Sequence, residues 1–365
     1  MRDPAPLHPI ARRHLETLTD DIGIMQHAIG SMPDPAHGYC TDDVARSLSV
    51  DLLHHRGLGW AGVSDSAWRS LRYLEAAFDG STGRLRNFRR VDGTWLDGPA
   101  SEDSQGRAMV ALGDAIANAP DPSFVDAAAA LFEAALPLAQ GMTALRARAS
   151  VVLGCEAAMR GRPDQRTATA YRLVAASIRA AFTPRIVASW PWPESRLTYE
   201  NALPVHAMIL AAGYLEDPSM LAAGLQVLDW LVLEQTAPEG HLSPIGNGWW
   251  PCGGVKARFD QQPIEATSLL LSADAAFSVT GDEQYRRVME RAYAWFLGAN
   301  DLGLLVADPD RGAGFDGLTP DGVNANQGAE STLMWLTALE RIRLVRSPAA
   351  PAAREGDPVL VAALS

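Results

Sequence analysis

The segment IEATSLLLSADAAFSV (residues 264–279) decides the fold class, because small and apolar residues occupy nearly every face of the helix that it predicts. A helix that is apolar on most of its faces is a buried helix. Five further segments share this character: 42–53, 103–117, 144–159, 200–214 and 328–342. The sequence therefore predicts six buried helices.

A charged, amphipathic segment precedes each buried one, as expected for a helix with one face in solvent. These segments are 10–28, 66–78, 124–140, 167–182, 220–235 and 283–297. Strand patterns of alternating β-branched residues are nearly absent. Six outer and six inner helices in alternation predict an all-α fold, the (α/α)6 toroid. We expect a single toroid domain over residues 1–345 and a flexible Pro/Ala-rich tail over 346–365.

The loops differ in length according to their direction. Inner-to-outer connections are short (160–165, 215–219 and 280–284), whereas outer-to-inner connections are often long (79–102, 183–199, 236–260 and 298–326). In a toroid the long loops all lie on the face that bears the N-termini of the inner helices. Long loops in a compact domain are usually functional, so this face is the predicted site. An open α-solenoid is the alternative, and the uneven loop lengths disfavour it.

Composition narrows the partners and the compartment. The net charge of −12 and the pI near 5.1 disfavour nucleic acid and anionic membranes, and are compatible with neutral substrates such as sugars. Three widely spaced cysteines do not form a disulfide framework, which favours a reducing compartment. No signal-peptide core and no run of ~18 apolar residues is visible. We therefore expect a cytoplasmic protein with no membrane partner.

Acidic residues recur at the starts of the inner helices. They are Asp42, Asp43, Glu102, Asp103, Glu200, Asp260, Glu265 and Glu330. Helix capping, with Thr41 as the cap of its helix, is the simplest interpretation of any single one. Five of the six inner starts carry an acid while the outer helices show no such concentration, so together they indicate one solvated site. Tryptophans in the long loops, among Pro and Gly, suggest exposed rings for stacking against sugars.

Several motifs resemble a known family. HGYCTDD (37–43), SEDSQGRA (101–108), WPWPE (190–194), LTYENA (197–202), FDQQPIEA (259–266) and NQGAESTL (326–333) are similar to those of a bacterial family of six-hairpin glycosidase-like toroids, over about Leu15 to Leu344. Its members are often encoded beside, or fused to, glycosyltransferases. The resemblance implies the toroid fold and a possible glycosyltransferase partner. Val44 and Glu200 depart from the Asn and Asp of the family pattern.

The leading hypothesis is a glycoside hydrolase acting on an oligosaccharide or glycoconjugate, which needs one carboxylic acid and one carboxylate as base or nucleophile. We predict Asp103 and Glu200 as this pair, with Asp43 and Glu194 as rivals, and expect Glu102 beside Asp103 to raise one pKa. The predicted substrate-binding residues are His37, Asp42, Arg107, Trp190, Trp192, Tyr199, Trp249, Trp250, Asp260, Glu265, Glu330 and the amides Asn201, Gln261, Gln262, Asn326 and Gln327.

Three alternatives stay open. A sugar epimerase would use histidines, with His37, His206 and His241 available. A phosphorylase would need a phosphate cradle, to which Arg86, Arg89, Arg90 or Arg107 contributes. A non-catalytic carbohydrate-binding partner of a glycosyltransferase would need no acid pair. No cofactor and no metal is expected, since the Cys and His spacing fits no zinc motif and no glycine-rich nucleotide loop is present. The basic loop GSTGRLRNFRR (80–90) is too short to indicate nucleic acid.

Overall fold

The computed structural model describes residues 4–96, 98, 101–183 and 189–347. Within these ranges the helices are α1 Arg13–Leu18, α2 Thr41–Leu58, α3 Ser64–Ala77, α4 Glu102–Asn118, α5 Pro122–Ala139, α6 Leu145–Gly161, α7 Gln165–Phe182, α8 Leu203–Tyr214, α9 Pro218–Glu234, α10 Pro263–Thr280, α11 Glu283–Phe296 and α12 Ala329–Arg346. The strands are β1 Ala28–Ile29, β2 Met32–Pro33, β3 Tyr39–Cys40, β4 Phe78–Asp79, β5 Arg84–Leu85, β6 Phe88–Arg89, β7 Arg196–Leu197, β8 Trp250–Pro251, β9 Ala307–Asp308, β10 Ala313–Gly314, β11 Leu318–Thr319 and β12 Gly322–Val323.

The alternation of outer and inner helices is confirmed, with one outer helix much shorter than predicted. The segment 10–28 forms only α1, which ends at Leu18. The side chain of Asp20 accepts hydrogen bonds from the backbone N–H groups of Ile22 and Gly23, at 2.8 and 3.1 Å. This local turn competes with the helix and ends it.

One inner helix begins later than predicted. α8 starts at Leu203, so Glu200 and Asn201 lie in the turn that precedes it. Glu200 has a positive φ of 46°. Because every residue of a right-handed helix has a negative φ, Glu200 cannot be part of α8.

The described chain forms two compact units. The N-unit comprises Ile10–Ala176 and Asn326–Leu333, and the C-unit comprises Met1–Pro9, Ser177–Ala325 and Met334–Ser365. Each unit is described by itself below. The prediction of a single domain over 1–345 stays a prediction. α12 continues through Arg346, one residue past that boundary, and most of the predicted tail (348–365) lies outside the described residues.

Close helix packing organises the N-unit. A Cβ atom on Gly113 of α4 would lie 2.2 Å from the carbonyl oxygen of Gly154 on α6, so the two backbones touch there. Only glycine allows helices to approach this closely. α5 packs on α4 in the same unit.

The C-unit is built around α10, whose sequence opened the analysis. Most of its residues are buried, as predicted, although Leu271 and Asp274 are half-buried and Ser278 is exposed. Two of its hydroxyls bond to neighbouring backbone: Thr267 donates to the carbonyl of Met334 at 3.0 Å, and Ser272 donates to that of Ala202 at 2.8 Å. The polar residues of this helix are therefore satisfied inside the core.

The expectation that acids concentrate at the inner helix starts is wrong, because the outer helices also begin with acids. Aspartate side chains accept hydrogen bonds from the first turns of four outer helices, α5, α7, α9 and α11; these are Asp121, Asp164, Asp217 and Asp282. At the inner helix α4 a serine, Ser101, has this role. The expectation that Thr41 caps α2 is wrong, because Thr41 is the first helical residue and its hydroxyl donates to the carbonyl of Arg86 at 2.6 Å.

The long loops pair with one another inside each unit. In the N-unit, β3 before α2 pairs with β6 before α4. In the C-unit, β7 before α8 pairs with β8 before α10. Segments that precede different inner helices are thus joined, which places the starts of those helices near one another within a unit.

One helix of the described chain, α5, passes a length and composition test for a membrane span, although the sequence showed no continuous apolar run. Its mean hydropathy is 1.3, and 44% of it is buried. Because core helices of globular proteins pass the same test, this is weak support for a span.

Candidate active site

Four carboxylates and two arginines meet at three inner-helix starts of the N-unit. This acid–arginine cluster consists of Asp42, Asp43 and Arg46 on α2, Asp103 and Arg107 on α4, and Glu330 on α12. Arg46 donates to Asp43 at 2.8 Å and lies 2.9 Å from Glu330. Arg107 lies 3.6 Å from Asp42. Acids from three inner helix starts therefore lie together in this unit, while the prediction of one site shared by all the inner starts stays a prediction.

Local helix geometry explains the arrangement. Arg46 follows Asp43 by three positions, and Arg107 follows Asp103 by four, so each arginine lies one turn below an acid on the same helix face. Arg46 also reaches Glu330, which belongs to a distant part of the sequence. Arg46 thereby links the first turn of α2 to that of α12.

The environment raises the pKa of both adjacent aspartates. Burial raises the pKa of Asp43 to about 7; the charge of Arg46 opposes this rise and that of Glu330 adds to it. Burial also raises the pKa of Asp42. Arg107 partly offsets that effect, whereas the charge of Asp103 reinforces it.

The two aspartates differ in exposure. The side chain of Asp42 is 21% exposed, whereas that of Asp43 is 5% exposed. The Oδ1 atom of Asp42 is buried and has no hydrogen-bond partner among the described residues, so the exposure of this side chain comes from its other atoms. Asp42 is therefore better placed than Asp43 to contact a ligand, although the sequence favoured Asp43. Of the acids in the cluster's ion pairs, Glu330 has the most open side chain, at 40%.

Glu102 has a structural role. Its carboxylate accepts hydrogen bonds from the backbone N–H groups of Thr143 and Ala144, at 2.9 and 2.6 Å, just before α6. Burial alone would raise the pKa of Glu102, but these hydrogen bonds lower it below its usual value. The expectation of a raised pKa is thus wrong for Glu102.

The other predicted residues of the N-unit lie in its loops. The side-chain oxygen of Asn326 accepts from the N–H of Gly30 at 3.0 Å, and the N–H of Gln327 donates to the carbonyl of Gly30. His37 is exposed, with Asp34 at 3.6 Å and the ring of His27 packed edge-on against its own. The hydrogen bonds of Asn326 and Gln327 with Gly30 attach the loop before α12 to the hairpin of β1 and β2.

In the C-unit, Glu265 anchors the turn that carries Glu200. The backbone N–H of Glu200 donates to the Glu265 carboxylate, and the Asn201 amide donates to it at 3.2 Å. Asn201 also bonds to both backbone groups of Thr198. Glu200 and Glu265 are both buried. Tyr199, also predicted, is half-buried beside them.

Two of the four predicted tryptophans are core residues, which corrects the expectation that all are exposed. Trp192 is fully buried against Phe182, and Trp190 is 7% exposed. Glu194 accepts from the Trp192 indole at 3.1 Å through its carboxylate. Pro and Gly neighbours did not keep these rings out of the core, because the loop folds back over the helices.

The remaining pair of tryptophans is more accessible. Trp249 is 37% exposed, and Trp250 is half-buried with its ring stacked on Trp230, the planes 20° apart. Trp249 has a positive φ of 65°, and the guanidinium of Arg196 lies over its ring. Strained backbone of this kind is frequent at binding sites.

The FDQQP motif is hydrogen-bonded to Asp301, a residue that the sequence analysis did not identify. Gln261 is fully buried and donates to Asp301 at 2.6 Å, while its oxygen accepts from the indole of Trp295. Asp301 also accepts from Arg258 at 3.1 Å. Gln261 thus has a structural role. Asp260 is exposed with a positive φ of 58°, and Gln262 is half-buried. Asp301 lies far away in the sequence, so no spacing could have indicated it.

The histidines do not join the acid–arginine cluster. Burial and the charge of Arg341 lower the pKa of His206 on α8 to about 3, so this imidazole is neutral at physiological pH. His241 lies 3.6 Å from Asp301 in the C-unit. Within the described ranges no group of His, Cys, Asp or Glu is arranged to hold a metal ion.

A cavity of about 280 Å³ lies elsewhere in the N-unit, between α1 and the start of α3. Arg12 and Arg69 are among its lining residues, and none of the predicted site residues is. The predicted acid/base pair is divided between the units, with Asp103 in the N-unit and Glu200 in the C-unit. This pairing stays a prediction.

Comparison of the structure with solved ones identifies the fold. Cellobiose 2-epimerase from Spirochaeta thermophila is similar with a TM-score of 0.69 at 14% identity, covering 91% of this chain and 93% of that one. A D-mannose isomerase gives 0.69 at 13% identity, over 90% and 94% of the two chains. A family 76 α-mannanase from Bacteroides thetaiotaomicron gives 0.64 at 11% identity, over 92% and 96%.

The chain thus has the all-α (α/α)6 fold of these six-hairpin enzymes, as predicted. No family model and no curated protein matches the sequence. The similar structures include sugar epimerases and isomerases as well as glycoside hydrolases. Since identities this low show the fold alone, the chemistry must be argued from the residues.

Proposed function

We propose that the protein is a glycoside hydrolase in which Asp42 is the proton donor and Asp103 is its carboxylate partner. The observation that carries this proposal is a partly exposed carboxyl group, with a raised pKa, beside a second carboxylate and an arginine. Glycosidases need two carboxyl groups whose surroundings separate their pKa values. Burial raises the pKa of Asp42 and the charge of Asp103 adds to this rise, which suits Asp42 to donate the proton.

The two carboxyl groups would act in sequence. Protonated Asp42 gives its proton to the glycosidic oxygen as the bond to the anomeric carbon breaks. Asp103, the carboxylate partner, either activates a water molecule or attacks the anomeric carbon, depending on the distance between the two groups. Once the proton has left, Asp42 is a carboxylate, and the guanidinium of Arg107 beside it stabilises that charge.

The other members of the cluster would tune this pair. Arg46 bonds to Asp43 and Glu330 and so fixes the positions of these two carboxyl groups beside the pair. Glu330 is open enough to accept hydrogen bonds from sugar hydroxyls. In the C-unit, Trp249 and Trp250 are the accessible aromatic residues of the predicted binding set, and the roles of Glu200, Glu194 and the buried amides stay predictions.

A sugar epimerase is the second candidate, since similar structures carry that name. Epimerisation requires groups that remove and return a proton on carbon, a task that suits histidine. His206, on the inner helix α8, has a pKa of about 3 and is a weak base. The carboxyl cluster therefore favours hydrolysis.

The test is the release of new reducing ends from a panel of oligosaccharides. Wild type should release them from at least one glycan, and D42N and D103N should each lower kcat by about 10²–10⁴, the usual contribution of acid–base groups. D65N, which changes an exposed first-turn aspartate of α3 in the same unit, is the matched control and should retain full activity. Equal activity of D42N and D65N would exclude the assignment.

A further inference from the structure

An arginine-rich hairpin in the N-unit is not explained by the proposed hydrolysis. The arginine hairpin, residues 84–96, holds four arginines and one aspartate in a chain whose net charge is −12. Arg84, Arg86 and Arg90 are exposed and Arg89 is half-buried. Like charges at this density repel one another unless an anion lies among them.

Two of the four guanidinium groups are held in fixed positions. Arg86 and Arg89 lie over the ring of Trp95, at 4.9 and 5.3 Å. Arg86 also donates to the carbonyl of Ala76 at 2.8 Å, and Arg89 to that of Gly93 at 2.9 Å. Stacking and hydrogen bonding reduce the entropy that a cation loses when it binds a ligand.

The contacts of Arg86 and Arg89 stabilise the fold, but no such side-chain contacts are seen for Arg84 and Arg90 among the described residues. Arg84 lies near Glu102, whose carboxylate is already occupied by the backbone before α6. The aspartate of the hairpin, Asp92, accepts hydrogen bonds from its neighbour Thr94. Arg84 and Arg90 are exposed, and the carboxylates near them, Glu102 and Asp92, already accept hydrogen bonds from other groups.

The arginine hairpin is continuous with the acid–arginine cluster. Its strand β6 pairs with β3, the strand that leads into α2. The N–H of Thr41 donates to the carbonyl of Asn87 at 2.8 Å, and its hydroxyl donates to that of Arg86. Asp42 follows directly in the chain. If one sugar of a glycan chain is bound at the cluster, the next sugar along the chain would thus be within reach of the hairpin.

We propose that the arginine hairpin binds the anionic group of an acidic glycan, and that this charged sugar occupies the position next to the one at Asp42. Guanidinium groups match the paired oxygens of carboxylate, sulfate and phosphate. Phe88 of the hairpin, 40% exposed, offers an apolar surface for the face of a sugar ring. This inference rests on the proposed function, because it names the substrate class of the same site.

A nucleic acid fits the same surface less well. Binding of a long polyanion requires a basic track along many phosphates, whereas this patch is one short hairpin on an acidic chain. A glycan with one or two charges needs only a local patch.

The test is a binding titration by calorimetry with the D42N protein, so that no turnover interferes. The probes are trigalacturonate, its fully methyl-esterified form as the neutral control, a heparin-derived tetrasaccharide for sulfate, and a mannose 6-phosphate trisaccharide for phosphate. At least one anionic probe should bind, and the ester should bind at least about tenfold more weakly than trigalacturonate if carboxylate is the group recognised.

The second arm changes the hairpin. R84Q/R90Q in the D42N background should weaken binding of the anionic probe by about tenfold or more and reduce its salt dependence. R13Q/R72Q removes two exposed arginines from other helices of the same unit and should bind like the parent. Thermal unfolding of both variants checks that they are folded.

Three results would overturn the inference: no binding of any anionic probe, equal binding by R84Q/R90Q and R13Q/R72Q, or tighter binding of a single-stranded DNA oligonucleotide than of every glycan. Because the titration measures binding only, its outcome is separate from that of the turnover test. A protein that cleaves neutral glycans but ignores the charged probes refutes this inference and leaves the proposed hydrolysis intact.

Discussion

Arg46 and Glu330 form an ion pair of 2.9 Å that joins the first turn of α2 to the first turn of α12. The same guanidinium donates to Asp43, so one side chain holds carboxylates from two helices. Removing one partner of such a buried network leaves an uncompensated charge. The cluster therefore contributes to stability as well as to the proposed chemistry, and we expect its members to respond differently to substitution.

Asp43 should make stability depend on pH. Its pKa is raised from 3.8 to about 7, so the native state binds this proton more tightly than the unfolded chain does. Its stabilising contribution is complete below pH 4, declines as the pH rises towards 7, and is lost above it. D43N, which mimics the protonated acid, should gain stability relative to wild type across this window, by up to about 4 kcal/mol. Urea unfolding at pH 5 and pH 8 measures it; a pH-independent difference would contradict the raised pKa.

Glu102 should contribute to stability and not to catalysis. E102A removes the acceptor of the Thr143 and Ala144 N–H groups at the start of α6, which should cost about 1–2 kcal/mol. kcat on any cleaved glycan should stay within about twofold of wild type, a difference below 1 kcal/mol. A loss of activity without a loss of stability would show that Glu102 acts on the substrate.

The Glu265 carboxylate should be required to hold the turn of Glu200. E265A leaves the Glu200 N–H and the Asn201 amide without their acceptor in a buried place, at an expected cost of about 2–4 kcal/mol. E265Q keeps one oxygen and should cost less. Chemical denaturation of both variants gives the comparison. If E265A and E265Q were equally stable, the hydrogen bonds to Glu265 would not hold this turn.

Trp192 and Trp249 should respond in opposite ways. W192A opens a cavity in the core and should lower the free energy of unfolding by about 3–5 kcal/mol. W249A removes a partly exposed ring and should change stability by less than about 1 kcal/mol, while raising KM if the ring stacks on a sugar. Unfolding midpoints and KM for both variants show whether each ring supports the core or contacts the substrate. A W192A variant as stable as wild type would contradict the burial of Trp192.

The helix plan was predictable because burial leaves a direct trace in sequence. The small and apolar residues of α10 occupy all its faces, and the structure buries most of them as expected. Local competition was harder to foresee: the side chain of Asp20 ends α1 early, and the positive φ of Glu200 delays α8. Neither depends on hydrophobic periodicity, so the pattern did not reveal them.

The site was predictable as a set of acids and less so as individual roles. Adjacent acids such as Asp42 and Asp43 look alike in sequence, and only their exposure separates them. Glu102 appeared equivalent to Asp103 until its contacts with the α6 start were seen. Long-range partners such as Asp301 leave no local signal. The glycosyltransferase partner and the cytoplasmic location stay predictions.

The most direct test of the central claim is isotope incorporation from labelled water. Wild type incubated with a cleavable oligosaccharide in H₂¹⁸O should place one ¹⁸O atom at the anomeric carbon of the glycosyl product and none in the leaving-group product, as hydrolysis requires. D42N should form this labelled product about 10²–10⁴ times more slowly, and D65N at the wild-type rate. An isomeric sugar of unchanged mass, formed by wild type without any labelled hydrolysis product, would contradict the account and identify an epimerase instead.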